Sequence, residues 1–372
     1  MKFSIRRDEF YEALQKVVSV IPQRSTISMT QNILLSAHGG QLELMTTDLE
    51  ITMVSHVTAE IATEGDIAIP GRLVHDIVRE LPNVMLSFSA DASYRAELRS
   101  DFGQYKIGGE NPSDFPRKPA LDSVREITLP NEVLKRLIDK SIFACSHDEL
   151  RPALTGVLFE LGENSLRTVA TDGHRLATLF YRSDSLPRED FSAILSTRAL
   201  NFVMRNLEAD GVTVIGFGPS HAVAHMGPTR LFARLIDERY VNYNKVIPPE
   251  TNFDLTVDTS TLLASVKRVS LFSNPITAQV LLRLMPNRME IQAEDIDYGG
   301  EAREEIECNY EGDEFVIGFN SRYLQDLLRH IDAPQVIFHL IRPDFAVLAN
   351  PGDQPENEDQ LMLLMPIRLE NV

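Results

Sequence analysis

The sequence has no run of about 18 apolar residues, which excludes a membrane-spanning helix. Cysteine is scarce. Cys145 and Cys308 are the only two, too few for a disulfide framework or a four-ligand zinc site. No G-x-x-x-x-G-K-[ST] stretch is present, so nothing resembles an ATP-binding loop. No serine or cysteine stands in a recognisable nucleophile context, and His174 of TDGHRLA has no second histidine at metal spacing. No metal or cofactor is therefore expected. Positive charge is in deficit, with 36 Lys+Arg against 54 Asp+Glu and a net charge of −18. On its face that argues against a nucleic-acid partner, but net charge does not say where the charges sit. The first residues, MKFSIRRDEF, carry charges where a signal peptide needs its apolar stretch, so a cytoplasmic protein is expected. What remains is 43% hydrophobic and 24% charged over 372 residues, a globular composition long enough for two or three domains.

The charge is unevenly spread. Residues 1–124 carry a net −5, residues 125–248 are neutral, and residues 249–372 carry −13. Part of the last excess is the stretch Glu294–Glu307, EDIDYGGEAREEIE. These thirds coincide with an internal repeat. A strand followed by a helix recurs in FSIRRDEFYEALQKVVSVI from Phe3, ITLPNEVLKRLIDKSIF from Ile127 and LTVDTSTLLASVKRVSLF from Leu255. Phe10, Leu134 and Leu262 correspond, as do Leu14, Ile138 and Val266. A hairpin pattern then ends at Asp48, at Asp172 and at Asp295.

A second helix follows in each copy: PGRLVHDIVREL, STRALNFVMRNL and NSRYLQDLLRHI. Each carries two arginines seven residues apart, namely Arg72 and Arg79, Arg198 and Arg205, Arg322 and Arg329. Seven residues is about two turns, which puts each pair on one helix face. Three equivalent arginine-bearing helices arranged around an axis would line a concave face able to attract a polyanion. The expected class is α+β, in three tandem units with boundaries in the polar, Pro-containing stretches near Asp122 and Glu250: residues 1–122, 123–250 and 251–372.

Several motifs go further: the opening MKFSI, TDLE at Thr47–Glu50, LRTVATDGHRLA at Leu166–Ala177, SLP at Ser185–Pro187 and MPIRL at Met365–Leu369. On these the chain resembles, over essentially its full length, the bacterial DNA polymerase III β subunits, the sliding clamps. The resemblance implies three copies of a DNA-clamp domain, each with two helices packed on antiparallel sheets. It implies a head-to-tail homodimer closed into a six-domain ring around duplex DNA, bound topologically and without sequence preference. The implied function is that of a non-catalytic processivity factor, a subunit of the DNA polymerase III holoenzyme. Its implied partners are the polymerase III alpha subunit, the clamp-loader delta subunit, other DNA polymerases, and mismatch-repair and ligase proteins, all docking through short linear motifs.

The resemblance also carries residues over by position. The peptide-binding groove should comprise Leu154, Thr171, Gly173, His174, Arg175, Leu176, Val241, Lys245, Val246, Leu363, Met365, Pro366, Ile367 and Arg368. Val241 stands where the family commonly has proline, and Lys245 where it commonly has arginine. The DNA-contact set should be Arg24, Arg72, Arg79, His147, Arg151 and Arg198. The dimer interface should set Arg95, Arg99, Tyr105 and Lys106 against Leu271, Phe272, Glu301 and Glu304. Two rival readings are a hydrolase using Asp172 and His174, and a peptide-binding scaffold that does not encircle DNA.

Overall fold

The computed structural model describes residues 1–121, 124–295 and 299–369. The repeat boundary expected at Asp122, and Ile296–Tyr298 of the acidic stretch, lie outside the described residues. Six α-helices are found among the described residues: α1 (Arg7–Val18), α2 (Gly71–Glu80), α3 (Asn131–Ile142), α4 (Thr197–Asn206), α5 (Thr259–Val269) and α6 (Ser321–Arg329). None is long and apolar enough to cross a membrane.

The helices form where the repeat predicts them, for readable reasons. α1 buries Phe10, Ala13, Leu14 and Val17, the spacing of one helix face. α5 starts at Asp258, whose carboxylate accepts the Thr261 N–H at 2.7 Å, and α6 starts at Asn320, whose side chain accepts the Arg322 N–H at 3.0 Å. Hydrogen bonds from Thr261 and Ser260 hold the Asp258 carboxyl below the usual carboxylate range. Gly71 opens α2 because a Cβ there would sit 2.3 Å from the Ile21 side chain.

The chain packs into two compact units, whose borders are not those of the repeat. The first unit comprises residues 1–134 and 198–235, and the second comprises 135–197 and 236–372. The first holds a five-stranded sheet, in the order Glu60–Thr63, Lys2–Arg6, Met85–Ala90, Arg95–Ser100, Gly103–Gly108. It also holds an eight-stranded sheet, in the order Arg125–Pro130, Val212–Phe217, His221–Met226, Thr229–Arg234, Ile51–Thr58, Gln41–Thr47, Asn32–His38, Gly65–Pro70. The second unit holds an eight-stranded sheet, in the order Phe191–Ser196, Gly156–Gly162, Ser165–Thr171, Arg175–Arg182, Glu358–Leu364, Val347–Pro351, Gln335–Leu340, Phe253–Asp258. Its four-stranded sheet runs Gly300–Glu307, Arg288–Asp295, Gln279–Met285, Phe315–Asn320.

Each eight-stranded sheet is thus half one repeat and half the next, joined at an antiparallel seam. In the first unit Thr229–Arg234 pairs with Ile51–Thr58, with Leu231 opposite Met53. In the second Glu358–Leu364 pairs with Arg175–Arg182, with Met362 opposite Ala177. The register repeats as well. Phe3 faces Phe88, Phe88 faces Leu98, and Leu98 faces Tyr105. The same ladder runs Ile127, Ile215, Ala224, Leu231 in the second repeat and Leu255, Phe338, Ala349, Met362 in the third. Tyr105 is therefore the counterpart of Leu231 and Met362. By the same logic Ala302, opposite Ala293, is the counterpart of Met53 and Ala177, which lie opposite Thr46 and Ala170.

Phe88 is buried and stacks on Phe3 at 4.9 Å between ring centroids. Phe88→Ala should destabilise the protein by about 3–5 kcal/mol, as expected for emptying an aromatic site in a packed core. Urea unfolding of this variant beside Ser87→Ala, a polar neighbour on the same strand, checks the expectation.

Candidate functional site

The second unit gathers one set of candidate residues. It begins with the turn that links Ser165–Thr171 to Arg175–Arg182. The Asp172 carboxylate accepts the backbone N–H groups of His174 at 2.8 Å and Arg175 at 3.0 Å. The Thr171 hydroxyl accepts the Gly173 N–H at 3.1 Å and donates to the Arg175 carbonyl at 2.6 Å. Gly173 sits at φ +94°, in the left-handed region that glycine tolerates. Asp172 is therefore consumed in shaping the turn. It contacts the His174 backbone and leaves the imidazole, which lies 6.1 Å from the Tyr323 ring, without a carboxylate partner. A hydrolytic Asp–His pair is not formed.

The turn is a recurring device. In the first repeat the Asp48 carboxylate accepts Glu50 N–H at 3.1 Å and Ile51 N–H at 2.8 Å, while the Thr47 hydroxyl accepts the Leu49 N–H at 3.0 Å and donates to the Ile51 carbonyl at 3.0 Å. The Thr-Asp motif found twice in the sequence thus reflects backbone satisfaction at a tight corner.

The His174 carbonyl accepts the N–H of Met365 at 2.9 Å, which brings the last strand's end to the turn. Beneath them Leu176 and Leu363 lie in one apolar cluster with Leu158, Val169, Ile194, Tyr243 and Leu348. Ala153, Tyr240 and Ile247 pack at its edge. Leu154 is buried as well. Above this floor Met365 remains 40% exposed, Val246 52% and Val241 46%, and Lys245 is exposed. Pro366 and Ile367 are half-buried, with the Ile367 N–H held by the Gly318 carbonyl at 2.8 Å, and Arg368 is exposed. The expected groove residues therefore meet as an apolar floor under solvent-facing aliphatic side chains. Sequence reasoning missed Tyr240, Tyr243 and Leu348, which complete the floor. Tyr243 donates to Glu160 at 2.5 Å. Burial pushes the phenol of Tyr240 upward. Burial also raises the Cys145 thiol to about 12, which makes it an inert core group.

Arg175 plays a different part from a groove rim. Its guanidinium is 11% exposed and fully engaged, donating to Asp172 at 3.1 Å, Asp326 at 2.7 Å and the Phe143 carbonyl at 2.7 Å, with the Tyr323 ring 4.7 Å away. It fastens the turn to α6.

The residues expected to contact DNA are all exposed, but their charges are not equally available. Arg24 makes no ion pair among the described residues. Arg72 donates to the Ile21 carbonyl, which ties it to the loop that carries Arg24. Arg79 is flanked by Asp76 at 3.3 Å and Glu80 at 3.0 Å, and Arg198 is paired with the buried Asp48. Arg151 pairs with Asp148 at 2.9 Å, and its Nη1 stands 3.4 Å from where a Cβ on Gly173 would lie. It is a neighbour of the groove turn. His147 lies exposed in the same loop.

The expected interface residues lie at two sheet edges. Gly103–Gly108 and Gly300–Glu307 each pair on one side only. Arg95 and Lys106 are exposed, Arg99 is clasped by Glu97 at 2.5 Å, and Tyr105 is half-buried. Leu271 is 81% exposed and Phe272 45%, the latter beside Gly300. Glu301 is exposed and accepts from Arg303 at 2.7 Å. Glu304 is already held by Arg268 at 2.6 Å and Ser265 at 2.7 Å, so it is an internal tie.

Comparison with known proteins agrees with these features. Models of the DNA polymerase III beta subunit match in three parts: its N-terminal domain at residues 1–120, its central domain at 128–242 and its C-terminal domain at 244–368. The beta sliding clamp of Pseudomonas aeruginosa is 31% identical over 371 residues, spanning 99% of this chain and 100% of that protein. The beta sliding clamp of Caulobacter vibrioides is 33% identical over 377 residues, with the same coverage. Among solved structures, a sliding clamp (DNA polymerase III subunit beta) from Pseudomonas aeruginosa bound to griselimycin superposes with a TM-score of 0.94 at 30% identity, over 99% of this chain and 100% of that one. With family models matching its N-terminal, central and C-terminal parts and relatives more than 30% identical along its whole length, the chain belongs to the DNA polymerase III beta subunit family.

Proposed function

We propose that the chain is a DNA sliding clamp, a processivity factor in which two copies close head to tail into a six-domain ring around duplex DNA. Its groove tethers the replicative polymerase, so that dissociation no longer ends synthesis. It acts in the cytoplasm by binding and holds no catalytic site. The observation that carries this reading is the unfinished sheet pattern. Two seams join successive repeats within the chain, and among the described residues the counterpart strand at each end is left with one free edge. A second copy supplies what each edge lacks.

The filled seams prescribe the register of the unfilled one. Leu231 lies opposite Met53 and Met362 opposite Ala177, so Tyr105 should lie opposite Ala302 of a second copy, and Lys106 opposite Glu301. Leu271 and Phe272 would give the contact an apolar centre. Such an interface is heterologous and closes after two subunits. Lys106→Glu or Glu301→Lys alone should weaken the dimer, and the two together should restore it, because direct cross-strand pairs depend on charge sign. Leu271→Ala with Phe272→Ala should do more damage, since exposed ion pairs are worth only about 0–1 kcal/mol and a buried large apolar side chain about 1.5–3. Sedimentation equilibrium checks all of these. A double alanine variant that stays dimeric at high dilution refutes the interface.

Encirclement needs no tight DNA contact, only weak and mobile phosphate contacts. That reconciles a polyanion partner with a net charge of −18. Arg24 and Arg72 are the strongest candidates, since neither has an acidic partner among the described residues. The protein should stay on nicked circular duplex and be lost when the circle is cut, which only a closed ring does. Arg24→Ala with Arg72→Ala should flatten the salt dependence of DNA binding by about one unit per lost phosphate contact. Retention on circles without loss from linear DNA would favour a different mode of binding.

The groove supports partner capture through a short peptide whose leucine or phenylalanine enters between Met365, Val246 and the Leu176–Leu363 floor. Polymerase III alpha, the clamp-loader delta subunit, other polymerases, and mismatch-repair and ligase proteins are the proposed partners. Val241 and Lys245 should shift which motif binds best. Met365→Ala with Val246→Ala, both on the exposed side, should weaken peptide binding tenfold or more without moving the unfolding midpoint. Fluorescence anisotropy with a labelled pentapeptide ending in Leu-Phe checks this.

A further inference from the structure

Both seams carry an ion pair between the turn of one repeat and the second helix of the next, but at different positions. In the first unit the turn of one repeat offers Asp48, and α4 of the next repeat answers with Arg198. In the second unit the turn offers Arg175, and α6 answers with Asp326 at 2.7 Å. The second tie has a further member. The other oxygen of Asp326 accepts from Arg329, one turn on, at 2.8 Å. One carboxylate is thus divided between two guanidiniums that serve different faces. Arg175 is 11% exposed and locks the Thr171–Arg175 turn, whose His174 carbonyl holds Met365. Arg329 is exposed and is the counterpart of Arg79, on the helix face that the repeat assigns to DNA. The equivalent acid of the first repeat, Asp76, pairs with Arg79 and His75, and Ile51 stands where the turn has Arg175. The shared carboxylate therefore belongs to the one seam that also carries the groove.

We propose that Asp326 is a positioning residue that couples DNA engagement to the peptide groove. This rests on the proposed function, since it takes α6 to face DNA. A phosphate that draws Arg329 away leaves the whole carboxylate to Arg175. The turn is then held more firmly, and the groove binds peptide more tightly. The coupling is reciprocal, so peptide must strengthen DNA binding by the same factor. An exposed to half-buried ion pair limits the effect to about twofold to fivefold.

The test measures the affinity of the labelled Leu-Phe pentapeptide, with and without saturating 30-base-pair duplex at low salt, for the full-length protein and three variants. Duplex binding is measured separately with labelled DNA. The wild type should gain two- to fivefold in peptide affinity on adding duplex. Arg329→Ala should show the tighter affinity without DNA and no further response, because removing the competitor mimics the phosphate. Asp326→Asn should bind peptide more weakly and fail to respond, and Asp326→Glu should recover the response. A merely structural Arg329 would leave the variant's peptide affinity unchanged or lowered, and either result overturns the proposal whether or not duplex binds. Equal peptide affinities with and without a duplex that demonstrably binds the wild type also overturn it. Failure of the duplex to bind refutes the proposed function instead.

Discussion

Backbone hydrogen bonding across the repeat borders is the constraint on which the rest of this structure depends. A half-sheet ends in a row of N–H and C=O groups that must find partners or face solvent. Here each repeat passes that requirement to its neighbour. Met53 meets Leu231, and Ala177 meets Met362, in the same register. The compact units therefore run across repeat borders, and residues from two repeats are fixed to one another by main-chain geometry. The groove exists for this reason: its turn belongs to the second repeat and its Leu363–Met365 wall to the third, and a single seam aligns them.

Both seams meet this constraint in the same register, yet only one carries a groove. The counterpart of Leu176 in the first unit is Thr52, and the strand end that offers Met365 in the second unit offers Arg234 in the first. Arg234 is exposed and pairs with Glu50 at 3.3 Å, placing a polar lid where the groove has an apolar wall. An identical backbone frame thus carries an apolar groove at one seam and a polar surface at the other, and a few side chains decide which.

Much of this was legible in the sequence. The repeat, the two helices per copy and the hairpins ending at Asp48 and Asp172 follow from periodicity and turn residues. The groove's aliphatic members came with the family's motifs. What stayed hidden was pairing between distant segments. Nothing in the spacing of Tyr243 or Leu348 marks them as groove floor, because their burial is set by a strand hundreds of residues along or by a connecting segment folded over the sheet. The partners of charged residues were equally hidden. Arg175 read as a peptide contact but is spent on Asp172, Asp326 and Phe143. Glu304 read as an interface acid but answers Arg268. Sequence spacing shows which helix face an arginine occupies, not which carboxylate has already reached it.

The strand Gly300–Glu307 alternates exposed and half-buried residues, and four of its eight are glutamates. The opposite free strand, Gly103–Gly108, carries Lys106 and no acid. A nascent copy is therefore sticky in one sense only. Two acidic edges repel one another, and two lysine-bearing edges offer each other no acid on the edge strand itself, so contacts between like ends are disfavoured. Only the unlike ends attract. In the proposed ring, the self-association hazard of an exposed strand becomes a rule of polarity written in charge.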